Sequence, residues 1–247
     1  MRFYLFDKAL RLNLTDALER IEIAVRACLV DVLGKIDPLS YRDPRTYTGR
    51  FSEAPVDGGP TELSMFIDGL DETFERSKEE FAKHFRAKYE RPPPIWIAVG
   101  TWDWGKLSHA INHLSDTNRD AVCCSIHRDR TRRTLVSWMR CLNEVRNACA
   151  HHSRLWNKAV INSPRLHSGE IPAFEHLAGP NRSVSDEQKK RLYGALIPTC
   201  FLIRTFHPNT EWPRRLAHLV AEADLPEGVG IASAGFPENW QEDPLWS

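Results

Sequence analysis

Apolar side chains recur every third or fourth residue at the start of this chain, at Leu10, Leu14, Leu18, Ile21, Val25, Leu29 and Val32. That spacing lines side chains up on one stripe of an α-helix, whereas a half-buried strand needs alternation with period two. No segment alternates convincingly, and Ile231-Ala232 is too short to count. A chain of this pattern must build its core by packing helix on helix. The first helix is expected from about Phe3 to Gly34, stopped by Gly34 and by Asp37-Pro38. On it Glu22 and Arg26 stand one turn apart, a structural ion-pair candidate.

The same reading extends along the chain. A second helix is expected over Glu62–Glu90, with Met65, Phe66, Leu70, Phe74, Phe81 and Phe85 on one side and Arg91-Pro92-Pro93-Pro94 ending it. An apolar segment, Ile95–Leu114, follows with a break at Gly100 or Gly105, and its Trp96, Trp102 and Trp104 read as core. Further helices are expected near Asp120–His127 and Arg132–His152. Ser185 with Gln188 has the spacing of a capping box for a helix to about Phe206, and a last helix covers about Glu211–Ala223. The fold class is therefore all-α. Residues 1–224 read as a single helical domain with long loops near 40–60 and 155–183, and residues 225–247 as an acidic C-terminal tail packed on or flanking it.

Composition sets limits on function. The 33 Lys and Arg balance 33 Asp and Glu, which excludes a uniformly basic nucleic-acid binder, and 42% hydrophobic with 27% charged residues is a globular composition. No run of about 18 apolar residues exists, and Arg2 is followed by only Phe3–Phe6 before Asp7 and Lys8, so neither a membrane span nor a signal peptide is expected. The expected location is the cytoplasm. The six cysteines form no C-x-x-C and read as reduced, buried thiols. Cys123, Cys124, Cys149, His151 and His152 match no standard zinc spacing, so no metal is expected. No cofactor is expected either: Asp57-Gly58-Gly59-Pro60 lacks the Lys-Ser/Thr of a phosphate loop, and no glycine elbow surrounds Ser108 or Ser153.

The chemistry-bearing stretch is Trp138–His152. On a helical wheel Leu135, Trp138, Met139, Leu142, Val145 and Cys149 share one face, and Arg146 falls on that face. A guanidinium among apolar side chains needs a partner. One reading is a buried ion pair with Glu19 or Glu22; the other is a ligand for phosphate or an oxyanion. His151 and His152 follow, and either reading of them, as a helix-end cap or as an acid/base pair, fits the residue type. Arg146 and His151 lie about 140° apart on an ideal helix. The helix must therefore end or unwind near Ala150, or the two must meet across subunits.

Arg146-Asn147, Ala150-His151-His152 and Arg154-Leu155-Trp156-Asn157 together resemble the R-N-x-x-A-H-H-x-R-L-W-N core of the bacterial abortive-infection AbiD/AbiF-like proteins, within the HEPN superfamily. The resemblance takes in Phe6-Asp7, Leu10-Arg11, Glu19–Glu22 and Arg26. It continues through Pro94-Ile95-Trp96, Trp104-Gly105, Leu107-Ser108 and Gly235-Phe236-Pro237 with Trp240. It implies an HEPN-like helical bundle, usually dimeric, and metal-independent endoribonuclease activity through the ribose 2′-OH to a 2′,3′-cyclic phosphate. Carried over, Arg146 is the phosphate ligand, His151 the acid/base, Asn147 an orienting residue and His152 second to His151. It also implies an N-terminal segment before the first helix, expected to be absent here, and an acidic residue where this chain has Gly100. A toxin-like role in phage defence and a neutralising antitoxin RNA or protein belong to the same implication. The competing reading is an HEPN module that binds RNA or a partner protein without cutting.

The zero net charge conceals a division. Residues 119–158 hold nine Lys and Arg against three acids, and residues 222–247 hold six acids with no Lys or Arg. Within the basic stretch Arg132, Arg133, Arg140, Arg154 and Lys158 are the RNA-binding candidates. The acidic tail is expected to compete with RNA for them if it folds back.

Overall fold

The computed structural model describes residues 2–127, 132–166, 177 and 184–246, with residues 132 and 133 described by their backbone. The described residues hold helices and no strand, and the one bridge is an isolated antiparallel pairing of Tyr47 with Leu114. The chain is all-α, as the spacing of its apolar residues requires. It forms two compact units, Met1–Ala24 with Asp129–Ser247 and Val25–Arg128. No helix among the described residues is long and apolar enough to cross a membrane.

The first helix, α1 (Arg2–Ile36), buries Leu10, Leu14, Ala17, Leu18, Ile21, Val25, Leu29 and Leu33. The stripe ends on Leu33 rather than on the half-buried Val32. Gly34 does not stop the helix. Asp37 N–H still donates to Leu33 O at 3.2 Å, and the termination comes at Pro38, which has no N–H to give.

In the second unit the 40–60 loop is built of short turns, Ser40–Arg42 and Pro44–Thr46, and of α2 (Gly49–Ser52). Two buried hydroxyls hold it, Tyr41 donating to Pro93 O and Tyr47 to Tyr41 O. The helix expected over 62–90 is two, α3 (Glu62–Arg76) and α4 (Glu80–Lys88). The break is tertiary in origin. Arg86 reaches back to donate to Phe74 O and Ser77 O and stacks on the Phe74 ring, which brings Phe74 and Phe85 to 6.0 Å edge to face. On one straight helix those two rings would stand about 16 Å apart along the axis. Met65 is 54% exposed, and Phe81 lies over Gly100. The Trp-rich segment breaks between the two expected glycines. Helix α5 (Ile95–Ala98) runs into a turn, and Asp103 caps α6 (Trp104–His113) by accepting from Lys106 N–H. Trp102 and Trp104 are core, but Trp96 is 51% exposed. Ser115 caps α7 (Asp116–Ile126).

In the first unit α8 (Arg132–Ala150) is followed by coil over 155–166, and the remainder of the long loop, apart from the buried Leu177, lies outside the described residues. Ser185 and Gln188 form the expected capping box, yet the helix they open, α9 (Asp186–Lys189), stops after one turn. The chain kinks at Lys190-Arg191 and restarts as α10 (Leu192–Phe206), and α11 (Trp212–Ala221) follows. Gly194 explains the kink: a Cβ there would sit 2.1 Å from Lys189 O, so α9 and α10 meet backbone to backbone. Gly194→Ala is expected to cost about 3 kcal/mol and lower Tm by roughly 6–12 °C, read by thermal unfolding; an unchanged Tm refutes the close approach.

Candidate functional site

The site candidates gather where α8 ends. His151 N–H donates to Asn147 O at 2.9 Å, His152 N–H to Cys149 O at 3.1 Å and Ser153 N–H to Ala148 O at 2.9 Å. The last two bonds are those of a Schellman cap, with His152 at φ 55° in the left-handed position that glycine usually fills. His152 thereby leaves the 100°-per-residue progression of the helix, and His151 and His152 both stand exposed. Neither imidazole has a hydrogen-bond, ion-pair or ring partner among the described residues. A β-carbon in the left-handed region costs about 1–2 kcal/mol. His152→Gly is therefore expected to stabilise the protein by about 1 kcal/mol, a Tm rise of roughly 2–4 °C. A fall in Tm would mean that the imidazole contributes more than its backbone costs.

Arg146 is half-buried rather than enclosed. The helical wheel places it near Leu135, but in this half of α8 the buried residues are Leu142, Val145, Ala148 and Cys149, centred about a quarter turn away. Its guanidinium approaches Asn147 Oδ1 at 3.5 Å and makes no ion pair with Glu19 or Glu22. Glu22 is half-buried on α1, and Arg26 donates to Trp102 O. A cation without a carboxylate thus shares the end of α8 with two free imidazoles.

What fixes the turn comes from α1. Asp7, 3% exposed, accepts Leu155 N–H at 3.1 Å and Trp156 N–H at 2.9 Å. Arg11, one turn on and 7% exposed, pairs with the Asp7 carboxylate and approaches Ser153 O at 3.4 Å. The loop after His152 is held at three backbone groups, Ser153 O, Leu155 N–H and Trp156 N–H, with Leu155 and Trp156 buried and Arg154 left outside. The sequence carried a signal for this pair. Asp7 continues the apolar stripe at the i−3 position from Leu10, so opposite charges one turn apart occupy a buried face.

The remaining candidates are dispersed. Glu144 Oε1 accepts Ile161 N–H at 3.1 Å and Oε2 accepts Asn162 N–H at 3.0 Å, spending the one carboxylate of this part of α8 on the loop. Asn157, also left-handed at φ 59°, accepts from Arg191 through its side chain at 3.2 Å. Arg140 is exposed, and Lys158 is half-buried beside a cavity of only about 10 Å³ that Glu144, Val145, Leu155, Val160 and Leu192 also line. The side chains of Arg132 and Arg133 lie outside the described residues. Burial pushes the Cys149 thiol up to about 11, against a nucleophilic role near neutral pH. Among the described residues no group of three His, Cys, Asp or Glu is placed to hold a metal ion. Gly100 lies under Phe81, where a Cβ would come within 2.9 Å of the ring, so an acidic side chain there would displace that ring.

No curated protein and no solved structure matches this chain. A family model described as Abi-like protein matches residues 1–157, from the first helix through Asp7, Arg11, Arg146 and the two histidines to Asn157. The match covers more than half of the sequence and ends on the last residue of the R-N-x-x-A-H-H-x-R-L-W-N core. The chain belongs to the Abi-like protein family, which associates it with abortive infection and phage defence.

Proposed function

We propose that this protein is a metal-independent endoribonuclease of the HEPN type. The observation that carries the reading is the end of α8: a guanidinium without a carboxylate partner and two exposed imidazoles without partners, on a turn fixed from α1. One imidazole takes the ribose 2′-OH proton, the 2′-oxygen attacks phosphorus and the P–O5′ bond breaks. A second imidazole, or the same one after proton exchange, protonates the 5′-oxygen. Arg146 holds the charge on the non-bridging oxygens. The products are a 2′,3′-cyclic phosphate and a 5′-hydroxyl, so DNA is not cut. RNA is the substrate, a second copy of the chain is the partner that sets two α8 ends side by side, and a neutralising RNA or protein restrains the activity in the cytoplasm.

Incubating the protein with mixed RNAs in EDTA tests this. Cleavage with cyclic-phosphate termini is expected, and a matched DNA should survive. Intact RNA that is nonetheless retained by the protein would instead establish a binding module. Cleavage only with added Mg²⁺ would remove the metal-free mechanism.

A further inference from the structure

We propose that the C-terminal segment 231–246 is a positioning element of the His151–His152 turn, acting through Trp156; this rests on the reading of that turn as the site. Trp156 is fully buried, and its indole N–H has no hydrogen-bond partner among the described residues. Rings hold it: Phe6 edge to face at 5.1 Å and Phe236 stacked at 5.9 Å and 20°. Phe236 is itself enclosed by Tyr193 at 4.9 Å, Trp240 at 5.0 Å and Trp246 at 6.4 Å. The segment therefore supplies one wall around the residue whose N–H binds Asp7.

Two further contacts dock the segment in register. Gly235, at φ 87°, has a Cβ position 2.7 Å from both Arg191 Cβ and Gln188 O, so only glycine fits against the kink between α9 and α10. Arg191 in turn donates to Asn157 O at 3.3 Å and to its side-chain oxygen. Further along, Tyr193 donates to Asp243 Oδ2 at 3.0 Å, and Arg204 to Pro244 O at 3.3 Å. Burial and the Asp243 charge push the Tyr193 hydroxyl's pKa up, which keeps it a donor. Residues 153–157 are thus gripped by Asp7 and Arg11 from one direction and by Phe236 and Arg191 from another. Phe236 and Gly235 lie beyond residue 157, outside the part of the chain that the family match covers. Deleting 226–247 would strip buried Phe236, Trp240, Leu245 and Trp246, so point variants are the sharper probe.

The experiment uses the full chain and hydrogen exchange without RNA. In Gly235→Ala and Phe236→Ala, amides of 153–157 should exchange at least ~10-fold faster while 135–149 of α8 keep their protection. RNA cleavage should fall by about 10²-fold, the scale of a small misplacement of catalytic groups. Phe236→Leu, which keeps most of the apolar volume, should restore both. Leu216→Ala on α11, a buried change away from the turn, controls for lost stability and should leave 153–157 protected. Parent-like exchange at 153–157, or a uniform rise over α8, α10 and 153–157, overturns the inference. If exchange changes as expected but the parent cuts no RNA, the positioning role stands and the nuclease reading falls.

Discussion

Asp7→Ala should destabilise the first unit by about 3–5 kcal/mol, the range for removing one partner of a buried ion pair. Three losses coincide in that substitution. Arg11 remains at 7% exposure with no counter-charge, and the N–H groups of Leu155 and Trp156 lose their acceptor. Each buried orphan donor carries its own desolvation cost, about 1–3 kcal/mol. Asp7→Asn separates the contributions, because its amide oxygen still accepts one backbone N–H while the charge is gone. It should fall between parent and Asp7→Ala in denaturant unfolding. Asp7→Ala with parental stability would mean that the clamp contributes nothing, and the account of the turn would fail with it.

The second large effect concerns chemistry rather than stability. His151→Ala should lower RNA cleavage by about 10²–10⁴-fold, the usual worth of a positioned acid or base. Arg146→Ala should lower it by about 10²–10³-fold, as for loss of one donor to a developing oxyanion. Because His151 is exposed and Arg146 half-buried without an ion pair, neither change should move Tm by more than the small surface range. Arg146→Lys is informative: it keeps the charge and loses the planar fork, so recovery of activity would reduce Arg146 to a point charge. If His151→Ala cuts at the parental rate while His152→Gly does not, the roles of the two histidines exchange. If neither matters, the assignment of the site is wrong.

How much of this could be read beforehand depends on whether the cause was local. Helix α8 was legible because Leu135, Trp138, Met139, Leu142, Val145 and Cys149 repeat its period, and the Ser185–Gln188 box because capping needs only four residues. The breaks at Ser77–Glu79 and Lys190-Arg191 were not, since Arg86 reaching back to carbonyls and Gly194 against Lys189 are tertiary contacts. Arg146 shows the limit of a helical wheel, which gives direction around an axis but not how far the neighbouring element extends along it. The Asp7–Arg11 pair is legible as opposite charges on the apolar stripe, but the backbone amides that Asp7 also holds are announced by no side-chain pattern.

Those partners lie 148 and 149 residues downstream of Asp7. Contacts of such separation form late, since the intervening loop must close before any bond compensates its entropy. A ribosome delivers α1 first and the His151–His152 turn long after, so Asp7 and Arg11 wait through most of synthesis at about 5–20 residues per second. The clamp on the turn cannot form until residues 155 and 156, the last but two and last but one of the motif, have emerged. For an enzyme directed at RNA, that order of assembly would leave the site without its clamp through most of the time the chain spends on the machine that makes it.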